Sequence, residues 1–273
     1  MTIRDLIVYV DDNAVDDTAI DIAATLARRD LAHLTGVFAI PPMQMPITYE
    51  PVMFEPLWQQ WREDCDVAAV RSRRRYDARL QAAGIEGGWL VASGGPDAAM
   101  LHASYVDLAV IARGKPDIAA GMAVLAEDLA IDGGRPVLMV PPGCAPIVGR
   151  NVVVAWKPTR EAVRAVNEAL AVIEPGARMT VLVVDPRDTP EHGEEPGADI
   201  ATHLARHGVQ VTVEVALSGH LDVTGTLLRR AAELGADLLV MGAYGHSRLR
   251  ERILGGVTRD LLRAAPLPVL MAH

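Results

Sequence analysis

Asp237-Leu-Leu-Val-Met-Gly242-Ala-Tyr-Gly245, running on to Ile253-Leu-Gly255-Gly256-Val-Thr258, combines an apolar run with spaced glycines. Four apolar residues lead into Gly242, two residues separate it from Gly245, and nine more separate Gly245 from Gly255. A short, continuous apolar run is typical of a strand buried in a parallel sheet. The glycines then let the backbone turn out of the strand and enter a helix near Gly256. The stretch therefore predicts strand, loop and helix.

The position of these glycines suggests a binding site. Open α/β sheets bind ligands at the carboxyl ends of their strands, where this loop would lie. Unpaired N–H groups at a helix start carry partial positive charge, so such a turn can hold a phosphate. Spaced glycines are also common in ordinary turns, and the spacing alone does not choose between the two.

The chain repeats itself, and the repeat predicts the architecture. Each half opens with strand, helix and strand: Leu6–Val10, 16–29 and 34–40 in the first, Val152–Ala155, 160–173 and 179–184 in the second. Each half also closes on two similar strands, because Asp107–Ala112 matches Asp237–Gly242 and Arg135–Val140 matches Leu267–Ala272. Helical stretches between apolar strands indicate right-handed crossovers and a parallel sheet.

We therefore predict an α/β protein of two five-stranded parallel-sheet domains in tandem, residues 1–143 and 150–273. The segment Pro141–Pro146 is the predicted linker, because its prolines and glycine interrupt helix and strand alike.

Composition narrows the function classes. The chain has 273 residues, half of them hydrophobic, and a formal net charge of -9. That charge argues against a general nucleic-acid or anionic-membrane binder. Cys65 and Cys144 are the only cysteines, which predicts no disulfide framework and fits a reducing compartment. With neither a signal-peptide pattern nor an apolar run long enough to span a membrane, we expect a cytoplasmic protein.

Two segments of the first half are ambiguous. Pro41–Pro56 mixes prolines with apolar residues, which favours a loop packed on the protein over a mobile lid or partner surface. A long helix, about Leu57–Ala83, carries five arginines that could bind an anion or RNA. Acidic residues precede them, so we interpret the arginines as the solvent face of the helix.

Three constellations could carry chemistry, and none is complete. Asp11-Asp12 resembles the metal pocket of a receiver domain, but the acceptor aspartate of such a domain is missing. The Ser93–Asp97 segment resembles a pyrophosphate loop, although turn and helix-cap chemistry explains its residues. Asp199, His203 and His207 have a spacing that could bind a metal, without a second partner motif. We find no serine, cysteine or Walker-type catalytic motif, so the sequence does not indicate an enzyme.

With the repeat and the glycines in hand, the chain resembles the universal stress protein family in its tandem form, whose fold is that of the adenine-nucleotide alpha-hydrolases. The family motif, G-x2-G-x9-G followed by a small hydroxyl residue, is matched at Gly242, Gly245 and Gly255. The resemblance implies a site for ATP or a related nucleotide, with magnesium, at the carboxyl edge of the second sheet. The residues it assigns to that site are Val184, Met241, Gly242, Tyr244, Gly245, Gly255, Gly256, Val257 and Thr258.

The sequence also departs from the family pattern. Gly256 stands where a serine or threonine usually follows the third glycine, and Ala155-Trp156-Lys157 replaces the aspartate expected after the first strand of this half. The tryptophan could stack on adenine or fill the pocket. In the first half Asp11 is present, but Ala112, Lys115 and Leu125 replace the glycines. We therefore expect nucleotide in the second domain alone.

The resemblance implies a stress-response protein that acts through nucleotide binding rather than catalysis. The alternative is a nucleotide-free interaction scaffold or small-ligand binder of the same fold, and an adenylating enzyme is a distant third. Family domains commonly pair through their last strands, which here are Pro136–Val140 and Pro268–Met271. Fusion would make this pairing intramolecular, and two chains could associate further as a homodimer.

Overall fold

The computed structural model describes residues 2–12, 15–41, 43, 54–93, 95–113, 120–186, 195–243 and 256–273. Its elements alternate between strand and helix in both halves. The first half contains β1 (Asp5–Tyr9), α1 (Thr18–Asp30), β2 (His33–Ala39), α2 (Phe54–Ala83), β3 (Gly88–Ala92), α3 (Gly95–Ala103), β4 (Leu108–Ala112), α4 (Ala120–Asp132) and β5 (Val137–Val140). The second half contains β6 (Asn151–Ala155), α5 (Arg160–Val172), β7 (Arg178–Val184), α6 (Ala198–Arg206), β8 (Gln210–Ala216), α7 (Val223–Glu233), β9 (Leu238–Gly242), α8 (Val257–Ala264) and β10 (Val269–Ala272).

The strands form one ten-stranded sheet in the order β3-β2-β1-β4-β5-β10-β9-β6-β7-β8. Within each half all neighbouring strands are parallel, and the two halves have the same internal order. The predicted fold class, two repeated five-stranded parallel sheets, is confirmed. Most of the Pro41–Pro56 segment, whose packing we predicted, lies outside the described residues.

The two halves meet through their last strands, as predicted. β5 and β10 are antiparallel, and Leu138 lies opposite Leu270 at the centre of the pair. Both leucines are completely buried. Similar Pro-Val-Leu-Met sequences thus supply both sides of the junction, so that neither apolar strand is left as a bare edge.

Helices cover both faces of the sheet. One hydrophobic cluster lies under α1, α2, α5 and α6 and includes Leu6, Val154 and Val240. The other lies under α3, α4, α7 and α8 and includes Val153 and Met241. Residues that alternate along a strand belong to opposite clusters, as the two-residue period of a strand requires.

The arginines of α2 lie largely on the solvent side of the helix, as interpreted from the sequence, and three of them also form ion pairs. Arg71, Arg75 and Arg79 recur every four residues and so share one face of the helix. This face does not simply point into solvent, because all three side chains form ion pairs with acidic residues at and before α1. The pairs are Arg71–Asp12 at 2.7 Å, Arg75–Asp17 at 2.6 Å, and Arg79–Asp21. The acidic partners follow β1 in the chain, and sequence spacing could not reveal them.

Two arginines connect the halves. Arg29 at the end of α1 donates to the carbonyls of Val172 at 2.8 Å and Ile173 at 3.1 Å, which terminate α5. A cation at a helix carboxyl end satisfies unpaired carbonyls and the helix dipole. Arg113, just after β4, donates to the carbonyl of Ala265 at 2.5 Å. Burial lowers the pKa of Arg113.

The linker is attached to the first half by Asp16. Its carboxylate accepts hydrogen bonds from the N–H groups of Gly143, at 2.6 Å, and Thr18, at 3.0 Å. Burial acts to raise the pKa of Asp16, but these hydrogen bonds and the charge of Arg75 outweigh it and hold the pKa below the ordinary 3.8.

The lowered pKa predicts an acid-dependent contribution to stability. A carboxyl group whose pKa is lower in the folded state stabilises the protein above its unfolded pKa and loses that contribution as the pH falls. We therefore expect Asp16→Asn to lower stability to urea at pH 7. The difference from wild type should shrink below about pH 4. A difference of equal size at pH 7 and pH 3 would contradict a role for the ionised carboxylate.

Candidate functional site

The crevice of the second half lies where the strand order reverses. β7 and β8 lie on one side of β6, and β9 and β10 lie on the other, so the loops after β6 and β9 diverge. Ala155 at the end of β6 is paired with Met241 of β9 on one side and with Leu182 of β7 on the other. In open α/β sheets this carboxyl edge at the switch point is where ligands bind.

The structure brings together part of the predicted site. Val184, Met241 and Val257 all belong to the hydrophobic cluster under α7 and α8, Met241 being 6% exposed and the other two half-buried. Thr258 is 3% exposed in the first turn of α8. These residues give the edge of the sheet an apolar wall beside a helix start. The predicted site residues Tyr244, Gly245 and Gly255 lie outside the described residues, as do Arg248, Arg250 and Arg252.

Gly242 is required by packing within the protein. A Cβ atom at this position would lie 2.5 Å from the backbone nitrogen of Ala162 and 2.7 Å from the carbonyl carbon of Glu161. The first turn of α5 therefore rests directly on the end of β9. Close helix approach explains this first glycine of the motif whether or not a ligand is bound.

The start of α8 has no side-chain cap. Its N-cap residue is Gly256, in extended backbone at φ -95° and ψ 153°. The helices α1 and α6 also lack a side-chain cap. By contrast, α5 and α7 begin with side-chain caps: Thr159 accepts from the N–H of Ala162, and Asp222 from that of Gly225. Gly256 has no side chain that could accept from the first turn of α8, and an anion at this carboxyl edge would be a fitting acceptor there.

Glu161 is a functional candidate that the sequence analysis missed. Its side chain is 3% exposed, lies against Gly242, and pairs at 2.5 Å with the exposed guanidinium of Arg160. Burial acts to raise the pKa of Glu161, but hydrogen bonds from Arg160, from its own N–H group and from Thr159 lower it overall. A buried ionised carboxylate thus lies beside the end of β9. Its sequence context, the first turn of a helix, is ordinary and gave no signal.

Trp156 lies on the other side of the sheet from the apolar wall. Its N–H group donates to the carbonyl of Leu182 at 2.9 Å, which continues the ladder beyond β6. Its half-buried side chain packs on the cluster under α5, whereas Val184 and Met241 belong to the opposite cluster. The indole therefore does not fill the space beside Val184 and Met241. The exposed Lys157 follows it and supplies a positive charge at this edge.

The corresponding edge of the first half is crossed by the linker. Gly143 is held by Asp16, and the half-buried Cys144 packs on the same cluster as Ala112 at the end of β4. Burial, followed by the charge of Asp16, raises the pKa of Cys144 to about 11, so its thiol stays protonated at neutral pH. Leu125, which we compared with Gly255, lies inside α4 and is 3% exposed, so it is a core residue rather than part of a loop.

The histidine-bearing helix of the second half makes contacts within the protein. His203 hydrogen-bonds Asn167 at 3.2 Å and packs edge-on against His207 at 4.7 Å between ring centroids. Across the described ranges, no three or more histidine, cysteine, aspartate or glutamate residues are grouped as metal ligands. Within the same ranges no helix has both the length and the apolarity to cross a bilayer.

Fold and crevice together define a class, that of doubled α/β proteins with glycines at the end of one parallel strand and at the start of the helix that follows it. The model of the Universal stress protein family matches residues 149–273. This match assigns the second half of the chain, residues 149–273, to the universal stress protein family.

Individual relatives agree with this assignment. A universal stress protein of Synechocystis sp. is 39% identical over 67 residues, which are 24% of this chain and 22% of that protein. The matched region thus spans about a fifth of the length of this curated relative.

The fold is shared over nearly the whole chain. A universal stress protein from Archaeoglobus fulgidus superposes with a TM-score of 0.73 at 16% identity, covering 98% of this chain and 95% of the other. A functionally unknown protein from Pseudomonas aeruginosa superposes with a TM-score of 0.58 at 13% identity, covering 99% and 92%.

Proposed function

We propose that the protein binds ATP or a related adenine nucleotide in its second half and acts in a stress response through binding rather than catalysis. The uncapped start of α8 at Gly256 is the observation that carries the proposal. It lies at the switch-point edge of the sheet, where the N–H groups of a helix start can receive phosphate oxygens. The apolar wall of Val184, Met241 and Val257 offers a surface for a base.

The two halves differ in a way that favours one site per chain. In the first half, Asp16 after β1 holds the linker at Gly143, whereas no linker segment is bound to the described residues after β6. In the second half, Lys157 lies after β6 and Arg160 neutralises the buried Glu161, so the local charge is compatible with phosphate. Magnesium would be carried by the phosphates of the nucleotide, as is usual for this ion.

A nucleotide-free scaffold is the second candidate. The absence of an aspartate after β6 favours it, because Trp156 and Lys157 stand in that place and the indole is used in packing. The scaffold and the nucleotide binder share the fold, and they differ in whether the start of α8 holds an anion.

Two substitutions at Gly256 that differ mainly in charge distinguish the nucleotide binder from the nucleotide-free scaffold. The φ of -95° accommodates any side chain, and both Asp and Asn are good N-cap residues. We expect Gly256→Asp to weaken ATP–magnesium binding by at least about tenfold, because a carboxylate there repels phosphate and competes for the same N–H groups. Gly256→Asn caps the helix without the charge and should weaken binding several-fold less. Isothermal titration calorimetry measures both affinities.

Unfolding in urea is the control for this pair. Both variants should be as stable as the wild type or slightly more so, since a new cap adds a few tenths of a kcal/mol. Equal ATP affinity in Gly256→Asp and Gly256→Asn would exclude phosphate binding at this helix start. Absence of binding heat in the wild type would favour the scaffold.

A further inference from the structure

β8 forms one end of the ten-stranded sheet and leaves an apolar row exposed. Val213 is 42% exposed, Val215 is 51% exposed, and Leu217 just after the strand is 69% exposed. They alternate along the chain and therefore face the same side of the sheet. In the core of the same half, Val181 and Val183 of β7 are completely buried.

The opposite end of the sheet has an aromatic contact at the corresponding strand. There β3 carries Trp89, whose ring packs at 5.5 Å between centroids on Tyr76 of α2. α2 has 30 residues, whereas its counterpart α6 has 9. The same position in the repeat thus lies beside a long helix in one half and a short one in the other. The short helix still contacts the row, since a Cβ at its N-cap Gly197 would lie 3.1 Å from Val213.

The outward backbone groups of β8 can be identified from its bonds to β7. The N–H group of Gln210 donates to Ala177, and the carbonyl of Ala216 accepts from Asp185, so these two residues point toward β7. In a parallel pair, the N–H and carbonyl groups of one residue point toward the same neighbouring strand. Those of the next residue point to the opposite side. Val211, Val213 and Val215 therefore point their backbone groups away from the sheet.

Residues 210–216, Gln-Val-Thr-Val-Glu-Val-Ala, contain none of the usual protections of an edge strand. They include no lysine, proline or glycine, and the only charged residue is Glu214. Its carboxylate is paired with Arg230 of α7, on the face opposite to the valines. A regular, apolar edge of this kind is a template for pairing with another strand.

We propose that β8 pairs antiparallel with β8 of a second copy of this chain, about a two-fold axis at Val213. This register places Val213 opposite Val213 and Val211 opposite Val215, which are all outward-pointing residues. They could exchange about six hydrogen bonds. The valine rows of the two copies then form one continuous apolar strip.

Charge favours the register centred on Val213 over the register centred on Glu214. With the axis at Val213, Glu214 faces the neutral Thr212 of the second copy. An axis at Glu214 also satisfies the alternation of backbone groups, but it sets two carboxylates directly opposite each other, which is destabilising. A symmetric antiparallel pair is the isologous contact expected of a two-fold dimer.

A cysteine at the axis tests the register in the full-length protein. Val213→Cys places two thiols on residues whose Cα atoms are about 5.5 Å apart in a hydrogen-bonded pair, within the range of a disulfide. In a Cys144→Ser background, mild oxidation should give a covalent dimer on non-reducing electrophoresis. Thr212→Cys is the matched control, because its partner in this register is Glu214 and its two thiols are out of reach. A covalent dimer from Thr212→Cys alone would overturn the proposed register.

A charge on the strip tests the dimer itself. By sedimentation velocity we expect a wild-type species with the mass of two chains, and a shift of Val215→Lys to the mass of one chain. Val163→Lys is the matched control, because Val163 is a comparably exposed valine, at 43%, on α5. Circular dichroism should show all three proteins folded. A monomeric wild type at every concentration, or a dimer unaffected by Val215→Lys, would overturn the proposal.

Discussion

Replacing Gly242 by alanine is expected to destabilise the protein by about 3 kcal/mol, the upper end of the usual cost of overpacking. The added Cβ would lie 2.5 Å from the backbone nitrogen of Ala162, far inside any van der Waals contact. The obstacle is main chain rather than a flexible side chain, so the first turn of α5 must move as a unit. That movement would also disturb Glu161, whose buried carboxylate lies on the same turn.

The control for this change is Gly219→Ala. Gly219 has φ of 62° and nothing within 4 Å of an added Cβ, so the same substitution meets strain without a clash. We expect a cost of about 1 kcal/mol there. Urea unfolding followed by circular dichroism gives both values. If the two variants lost the same free energy of unfolding, close helix packing would not be the reason for glycine at position 242.

The outcome also decides how the glycine motif is interpreted. A large loss of stability in Gly242→Ala without nucleotide present would show that the first motif glycine is needed for folding. Loss of binding in that variant would then say nothing about ligand contact. For this reason the charge pair at Gly256, rather than a motif glycine, is the informative test of nucleotide binding.

Asp237→Ala is expected to have a similarly large effect, about 3 kcal/mol, on the second half. The carboxylate of Asp237 accepts hydrogen bonds from three successive N–H groups: Gly149 at 2.8 Å, Arg150 at 3.1 Å and Asn151 at 3.1 Å. Alanine leaves these donors without their acceptor, and hydrogen bonds to a charged group are stronger than average. The aspartate connects the entry to β9 with the entry to β6.

The repeat supplies a control for Asp237. Asp107 stands at the same place in the first half and accepts from two N–H groups, those of Arg4 at 2.7 Å and Asp5 at 3.1 Å. We expect Asp107→Ala to cost less, about 2 kcal/mol, in proportion to the donors lost. Asp237→Asn retains an acceptor oxygen and should recover part of the loss. If Asp237→Ala were no more harmful than a surface substitution, this interpretation of the strand entry would be wrong.

The two halves of the doubled fold differ in what they contact. The first half holds the linker through Asp16 and contacts the second through Arg29 and Arg113. The second carries the uncapped helix start and the exposed β8 edge. In the proposed dimer, joining through β8 would leave both carboxyl-edge crevices in place, because the pairing uses the end of the sheet rather than its switch point.

Much of the fold could be predicted because its signals are local. The apolar run ending at Gly242 forms β9, Arg160–Val172 is helical as its periodicity predicts, and Leu138 pairs with Leu270. Strand and helix periods are properties of short segments, and the repeat showed which segments correspond. The candidate site was predicted less completely. Its assignment relied on resemblance, and Glu161 gave no local signal.

The helices and strands, their repetition and the pair of last strands that joins the halves all follow from patterns in the sequence. The tertiary structure alone decided that α5 presses on Gly242, that α2 pairs its arginines with residues around α1, that Trp156 packs away from Met241, and that β8 is exposed. The physical reason is that an element forms from the spacing of its own residues, whereas a contact depends on which distant surfaces the complete fold brings within a few ångströms.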